Sequence, residues 1–430
     1  MSPRDAPATA TAEADRPWRV ADRAAHCGPS AIADALAMAA RSRAIGLAAG
    51  SPATEALVDD ELQDVVAGAM RRAPQALQYT DPVGLPDLRA WIADDETRRT
   101  GRTWRPEQVI VTHGSQQGLD LVCRALLDPG DTVVVDRPAY SGALQILGMH
   151  GARIVPAPLT EEPGLDELAR VLERLAPVRM LYVVPSFANP SGATLTGEQR
   201  ARLAALADRH GCVVVEDDPY HELHFGAPPP SSTLTGLCRR AVRLGSFSKT
   251  FFPGARTGYL LAPEPLRPVL TRLKEATDLG NSALLQTVLH TALTTDGLPA
   301  RRYERLRGVY RRRRDTFTAA LRAHCEGLLT FTEPEGGFFV WATLADGTDA
   351  TRLLDRALAH QVAFVPGAAF HTGGDGAPTL RLSYSAAPHD LLEEGCARLA
   401  RAIGETRVPR PAEAEWEPAA ALTGPPEVRR

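Results

Sequence analysis

Two textures alternate along the chain. Short, almost wholly apolar and β-branched runs occur at 109–111, 132–135, 180–184, 212–215 and 241–244. Between them lie segments with apolar residues at helical spacing, 115–127, 140–149, 164–175 and 197–209. Strands without polar alternation are buried on both faces, and their regular exchange with helices predicts a mostly parallel sheet covered on both sides. Ser115 is the expected opening of the first of these helices. Thr196, with Gln199 three residues on, forms a capping box for the 197–209 helix. From about 300 the texture changes to a long arginine-rich helix over 302–324, short strands near 337–342 and 379–384, and a helix over 388–402. These predict a second, smaller α+β domain, joined by the apolar helical segment 30–43. The expected organisation is a flexible arm over 1–25, a large sheet domain over 60–295, a small domain from 26–59 and 296–405, and a flexible tail over 406–430.

Composition narrows the class. Of 430 residues, 44% are hydrophobic and 23% charged, values of a folded globular protein. A net charge of −4 argues against nucleic acid held by a basic face. No apolar run reaches the roughly 18 residues of a membrane span, and no secretory leader is visible. The six cysteines are scattered, with no C-x-x-C pair and no zinc spacing. A metal site is therefore not expected, and reduced thiols in a cytoplasmic protein are. Of 48 basic residues only Lys249 and Lys274 are lysines. Arginine stays protonated, so chemistry that needs a deprotonatable amine has two candidates.

Ligands of open α/β sheets sit beyond the carboxyl ends of the strands, so the residues that follow each strand carry the chemistry. After 109–111, Gly114-Ser115-Gln116 opens a helix, as a phosphate cradle or as an ordinary capped turn. Tyr140 follows 132–135, as a plate for a flat ring or as a core tyrosine. Asn189-Pro190-Ser191-Gly192 is turn chemistry with an amide able to donate to a ligand oxygen. Glu216, Asp217 and Asp218 run off the fourth strand, where buried carboxylates need partners; a cationic ring nitrogen is one, a helix cap another. Ser246, Ser248 and Lys249 follow the fifth strand, and Arg256 lies seven residues beyond the lysine. A desolvated lysine there is a nucleophile for carbonyls; the alternative is a solvated loop residue. Together these residues are the inventory for pyridoxal phosphate: anion cradle, aromatic plate, acid, amide donor and Schiff-base lysine.

With those residues in place the chain resembles the class I/II aminotransferases of pyridoxal-phosphate fold type I, most of all the branch of aminoadipate and broad-range enzymes. The resemblance rests on Gln78-Tyr79, Gly114-Ser115-Gln116-Gln117, Pro138-Ala139-Tyr140, Asn189-Pro190-Ser191-Gly192 and Glu216-Asp217-Asp218-Pro219-Tyr220. It continues through Gly245-Ser246-Phe247-Ser248-Lys249, Pro253-Gly254-Ala255-Arg256, Gly336-Gly337-Phe338-Phe339, Val365-Pro366-Gly367 and Leu380-Arg381-Leu382-Ser383, in family order over roughly 45–400. It implies the fold type I architecture, a large domain with a mostly parallel sheet plus the smaller α+β domain. It implies Lys249 as the aldimine lysine and proton shuttle, Asp217 as partner of the pyridine nitrogen and Tyr140 stacked on the ring. Tyr220 and Asn189 become donors to the phenolic oxygen. Ser115, Gln116, Ser246, Ser248 and Arg256 become phosphate contacts. Arg381 grips the substrate carboxylate, with Gly50 and Asn189 beside it. The resemblance also implies a homodimer in which Tyr79 reaches the partner's phosphate.

The sequence departs from relatives at Thr80, at Ser51-Pro52-Ala53-Thr54-Glu55 and at Gly280-Asn281-Ser282, all expected at the substrate mouth. The expected function is transfer of an amino group between an L-amino acid and a 2-oxo acid through a Lys249 aldimine. A second reading uses the same carbanion for elimination or replacement, carbon–carbon bond formation, cyclisation or oxidation. A third is a non-catalytic regulator sensing the cofactor; Lys249, Asp217 and Arg381 together argue against it.

Overall fold

The computed structural model describes residues 31–57, 60–72, 74–160 and 164–407, with Ala21 and Ala24. The expected arm and tail otherwise lie outside the described residues. Thirteen strands occur among the described residues: β1 Ile45–Gly46, β2 Val109–Thr112, β3 Thr132–Asp136, β4 Arg153–Ala157, β5 Val178–Val183, β6 Val213–Asp217, β7 Ala241–Ser246, β8 Gly258–Leu261, β9 Leu329–Phe331, β10 Phe339–Leu344, β11 Val362–Ala363, β12 Val365–Pro366 and β13 Thr379–Ser383. β2 to β8 form one seven-stranded sheet in the order β2-β8-β7-β6-β5-β3-β4. It is parallel except for β8, which runs antiparallel to both neighbours.

All five expected strands of this sheet are present, and the expected helices appear at 114–126, 141–149, 164–174 and 197–210. Thr196 and Gln199 form the reciprocal cap at 3.1 and 2.9 Å. The helix after β2 begins at Gly114, not Ser115, with His113 at its cap. Two strands carry weak local signals. β4 contains Pro156 and lies at the sheet edge, where a missing N–H is tolerated. β8 has no β-branched residue; it fits because Gly258 lets the backbone of Gly114 approach, and a Cβ there would lie 2.7 Å from Gly114 Cα.

β12, β13, β10 and β9 form an antiparallel sheet, and β1 pairs in parallel with β11. Helix 31–42 packs beside this second assembly, with Ala35 and Ile32 in a cluster with Val365 and Phe370. Helix 298–324 ties the parts together. Arg302, buried, donates to the carbonyls of Thr250 at 2.6 Å and Phe251 at 3.0 Å, just past Lys249. Arg313, also buried, donates to Tyr384 O at 2.8 Å. No helix among the described residues is long and apolar enough to cross a membrane.

The three carboxylates at the end of β6 divide by side. Glu216 and Asp218 pair with Arg243 of β7 at 3.0 and 3.2 Å, and Glu96 of helix 86–100 joins at 2.8 Å. All four side chains are at most 2% exposed. Asp217 lies between them in sequence and faces the other way. Removing one member of a buried ion group leaves its partners uncompensated, a loss of about 3–5 kcal/mol. Arg243→Met is therefore expected to lower the free energy of urea unfolding by about that amount; a loss below about 1 kcal/mol would refute it.

Candidate active site

The ends of β2, β3, β5, β6 and β7 open on one cavity of about 260 Å³. Gly50, Ser115, Gln116, Tyr140, Asn189, Asp217, Tyr220, Ser246, Ser248, Lys249, Arg256 and Arg381 all line it. Residues from widely separated parts of the chain, Gly50 and Arg381 among them, thus meet in one place. Tyr79 does not: it is 87% exposed and lines a separate hollow with Thr80, Leu85 and His290.

Lys249 Nζ donates to Gly50 O at 2.9 Å. Burial, with Arg381 and Arg256 nearby, brings its ammonium down to about 8, so the free amine is accessible near neutral pH. The close approach requires glycine at 50, because a Cβ there would sit 2.6 Å from Phe339 Cζ. Lys274, the other candidate, is fully buried and bound to Asp278, Asn281 and Gln117 outside the cavity.

Asp217 is 4% exposed. Tyr182 Oη donates to its Oδ2 at 2.8 Å, while Oδ1, also buried, has no hydrogen-bond partner among the described residues. Burial pushes this carboxyl up to about 6, with the Tyr182 bond opposing. Tyr140 is likewise raised by burial and by the Asp217 charge, and Tyr220 by burial, Tyr140 and Asp217. Tyr220 is braced edge-on against Phe338 at 5.6 Å. Arg381, 1% exposed, donates through Nη1 to Asn189 Oδ1 at 2.8 Å and through Nη2 to Ala48 O at 2.6 Å. Its Nε has no acceptor among the described residues. A guanidinium only donates, so it holds the Asn189 oxygen and turns the amide N–H groups elsewhere. The Arg381 guanidinium also lies 4.3 Å from the Phe339 ring centroid.

Several residues of the site were not singled out from sequence. Tyr182, which does not line the cavity but donates to Asp217 from the neighbouring strand, is one; its signal is a lone tyrosine in an aliphatic strand. Ile32 and Leu36, one turn apart on helix 31–42, do line the cavity, as do Val184 and Phe339. Of the sequence departures, Ser51 lines the cavity. Asn281 does not stand at the mouth: it is buried against His113, behind the turn that precedes Ser115.

A buried carboxylate oxygen without a donor calls for an N–H, and a depressed lysine amine favours a carbonyl. A protonated pyridine ring bearing an aldehyde meets both, and its phosphate suits a helix N-terminus with an arginine beside it. The chain is accordingly a pyridoxal-phosphate-dependent enzyme on the fold type I scaffold. The family model for aminotransferase class I and II matches residues 42–399, and the chain belongs to that family. The 2-aminoadipate transaminase of Thermus thermophilus is 40% identical over 386 residues, covering 87% of this chain and 94% of the relative. Aromatic-amino-acid aminotransferase 1 of Thermococcus litoralis is 34% identical over 383 residues, 87% of this chain and 92% of the relative. The crystal structure of the α-aminoadipate aminotransferase of Thermus thermophilus, complexed with N-(5'-phosphopyridoxyl)-L-leucine, matches with a TM-score of 0.82 at 36% identity. That match spans 90% of this chain and 97% of the other. The protein is a pyridoxal-phosphate-dependent aminotransferase, and its substrates are an amino acid and a 2-oxo acid. Nothing in these likenesses favours the elimination, bond-forming or oxidative alternatives.

The raised Asp217 has a consequence for stability. Its folded value of about 6 exceeds the ordinary unfolded value near 3.9, so between those pH values the cofactor-free native chain holds a proton that the unfolded chain has lost. Its contribution to stability therefore falls as pH rises through that window. The stability of cofactor-free wild type minus that of Asp217→Asn should decline by about 2–3 kcal/mol from pH 4 to pH 7 in urea titrations. A difference that does not vary with pH would contradict a buried, titrating carboxylate.

Proposed function

We propose that Lys249 is the amine that carries the cofactor and moves the substrate proton. In this reading Asp217 Oδ1 accepts the pyridine N–H, Tyr140 covers the ring, and Tyr220 and Asn189 donate to its phenolic oxygen. Ser115, Gln116, Ser246, Ser248 and Arg256 take the phosphate. Bound pyridoxal phosphate supplies an aldehyde for amines and a conjugated ring that accepts the electron pair left at the substrate Cα. Asp217, buried and braced by Tyr182, keeps that ring nitrogen protonated. Lys249 Nζ would take the Cα proton and return it at the carbon of the cofactor's aldehyde, on the far side of the linking nitrogen. Arg381, with Asn189 holding its guanidinium, grips the substrate carboxylate through charge-assisted bonds. In the same reading residues 60–295 form the cofactor-holding domain, while 26–59 and 296–405 form the domain that brings Arg381, Gly50 and Ile32. All five described cysteines are free and buried, which supports a cytoplasmic setting.

The substrate side chain is read from Ile32, Leu36, Val184 and Phe339, apolar walls of the cavity. They suit an apolar amino acid such as leucine, the residue carried by the adduct in the Thermus thermophilus relative. The lining cations Lys249, Arg256 and Arg381 already have roles. We expect kcat/KM for leucine to exceed that for 2-aminoadipate by about tenfold or more, the worth of one buried, unpaired carboxylate. Preference for 2-aminoadipate would overturn this substrate class.

We also infer a homodimer with shared sites. Tyr79 is 87% exposed and stands outside the cavity of its own chain, and a two-fold dimer is the commonest assembly. Tyr79 would complete the partner's phosphate site. Co-expressed Lys249→Ala and Tyr79→Ala chains should regain substantial activity, because a mixed dimer then holds one intact site. If mixed dimers form, Tyr79→Ala alone is impaired and no activity returns, the shared site is wrong.

A further inference from the structure

The second lysine stands outside the active site, yet it is tied to it. Lys274 Nζ donates to Asp278 Oδ2 at 2.7 Å, Asn281 Oδ1 at 2.8 Å and Gln117 Oε1 at 3.2 Å. An ammonium has three donors and no acceptor, so the oxygen ends of both amides must face it. Their nitrogen ends then face outward. Gln117 Nε2 donates to Asp278 Oδ2 at 2.6 Å, and Asn281 Nδ2 reaches His113 Nδ1 at 3.2 Å and Arg256 O at 3.4 Å. His113, accepting at Nδ1, carries its proton on Nε2, 3.3 Å from Asp278 Oδ2. The backbone closes the circuit. His113 N donates to Gln117 Oε1 at 2.8 Å, and His113 O accepts from Arg256 Nη2 at 3.2 Å. His113 immediately precedes Gly114-Ser115-Gln116.

We propose that Lys274 is a positioning residue for the cofactor phosphate: its ammonium sets the sense of both amides and the tautomer of His113, and so holds the turn 114–116 and the Arg256 guanidinium in register. This rests on the phosphate roles given above to Ser115, Gln116 and Arg256. It explains a lysine here in a chain whose other basic residues, Lys249 apart, are all arginine. A compact ammonium meets three acceptors around one point, which a planar guanidinium fork in a fully buried position cannot do. It also accounts for Asn281, one of the departures from relatives, as the link from Lys274 to His113 and Arg256.

The test uses the cofactor-free enzyme, titrated in parallel with pyridoxal phosphate and with pyridoxal, which has the same ring and aldehyde but no phosphate. Lys274→Met is expected to weaken pyridoxal phosphate about ten- to a hundredfold and pyridoxal by less than about twofold, so that the preference for the phosphorylated form collapses. Asn281→Ala changes no charge and cuts the link, so it separates positioning from a through-space charge effect; it should show the same selective loss. Equal weakening of both ligands, or an unchanged preference in Asn281→Ala, would overturn the proposal, and Asn281→Ala decides it alone if Lys274→Met does not fold. Arg256→Met and Ser115→Ala test the underlying reading. If they leave the preference intact, the phosphate assignment itself has failed, whatever Lys274 does.

Discussion

Burying charge at the carboxyl edge of the sheet is the constraint around which this structure is arranged. A carboxylate removed from water is costly unless partnered, and β6 delivers three in a row. Strand alternation sends Glu216 and Asp218 to one side, where Arg243 and its neighbours neutralise them. Asp217 is left on the cavity side, where Tyr182 Oη donates to its Oδ2 and the Ser115 side chain also bears on it. The ion group thus does more than hold β6, β7 and helix 86–100 together. It leaves Asp217 as the carboxylate of the three that faces the cavity without an arginine ion pair among the described residues.

The same low-dielectric setting acts on the cations with the opposite result. Burial and two nearby guanidiniums weaken the Lys249 ammonium, whereas an arginine in that place would stay charged. Burial pulls the Arg381 guanidinium down as well, to about 10, but from so high an ordinary value that it stays charged at neutral pH, anchored to Asn189 and Ala48. A reactive amine and a permanent cation can therefore line one cavity with distinct roles. Arginine elsewhere serves as a staple, as when Arg302 clamps the backbone just after Lys249.

The assembly of the cavity depends on the chain closing on itself. β1 pairs with β11, and helix 31–42 packs beside β12. Gly50 thereby comes under Lys249, and Ile32 and Leu36 come to the cavity wall. These contacts carry little local signal, because two-residue strands and small apolar clusters acquire meaning only from what they touch.

The alternating strands, the helices between them, the Thr196 cap and the choice of two lysines were legible from the order of residues, since each rests on local periodicity, side-chain chemistry or counting. So was the set of residues at the strand ends, because a parallel sheet collects its loops at one edge. The strand-end position and the resemblance already favoured Lys249 over Lys274; folding in three dimensions added that Lys249 faces the cavity while Lys274 is buried among Asp278, Asn281 and Gln117. It also gave Asp217 and Asp218 opposite faces, moved Asn281 from the expected mouth to the rear of the anion turn, and left Tyr79 outside the cavity of its own chain. The reason is physical. Residue type states what chemistry a side chain can perform, but burial and partner geometry set its protonation and orientation, and those come from segments far away in sequence.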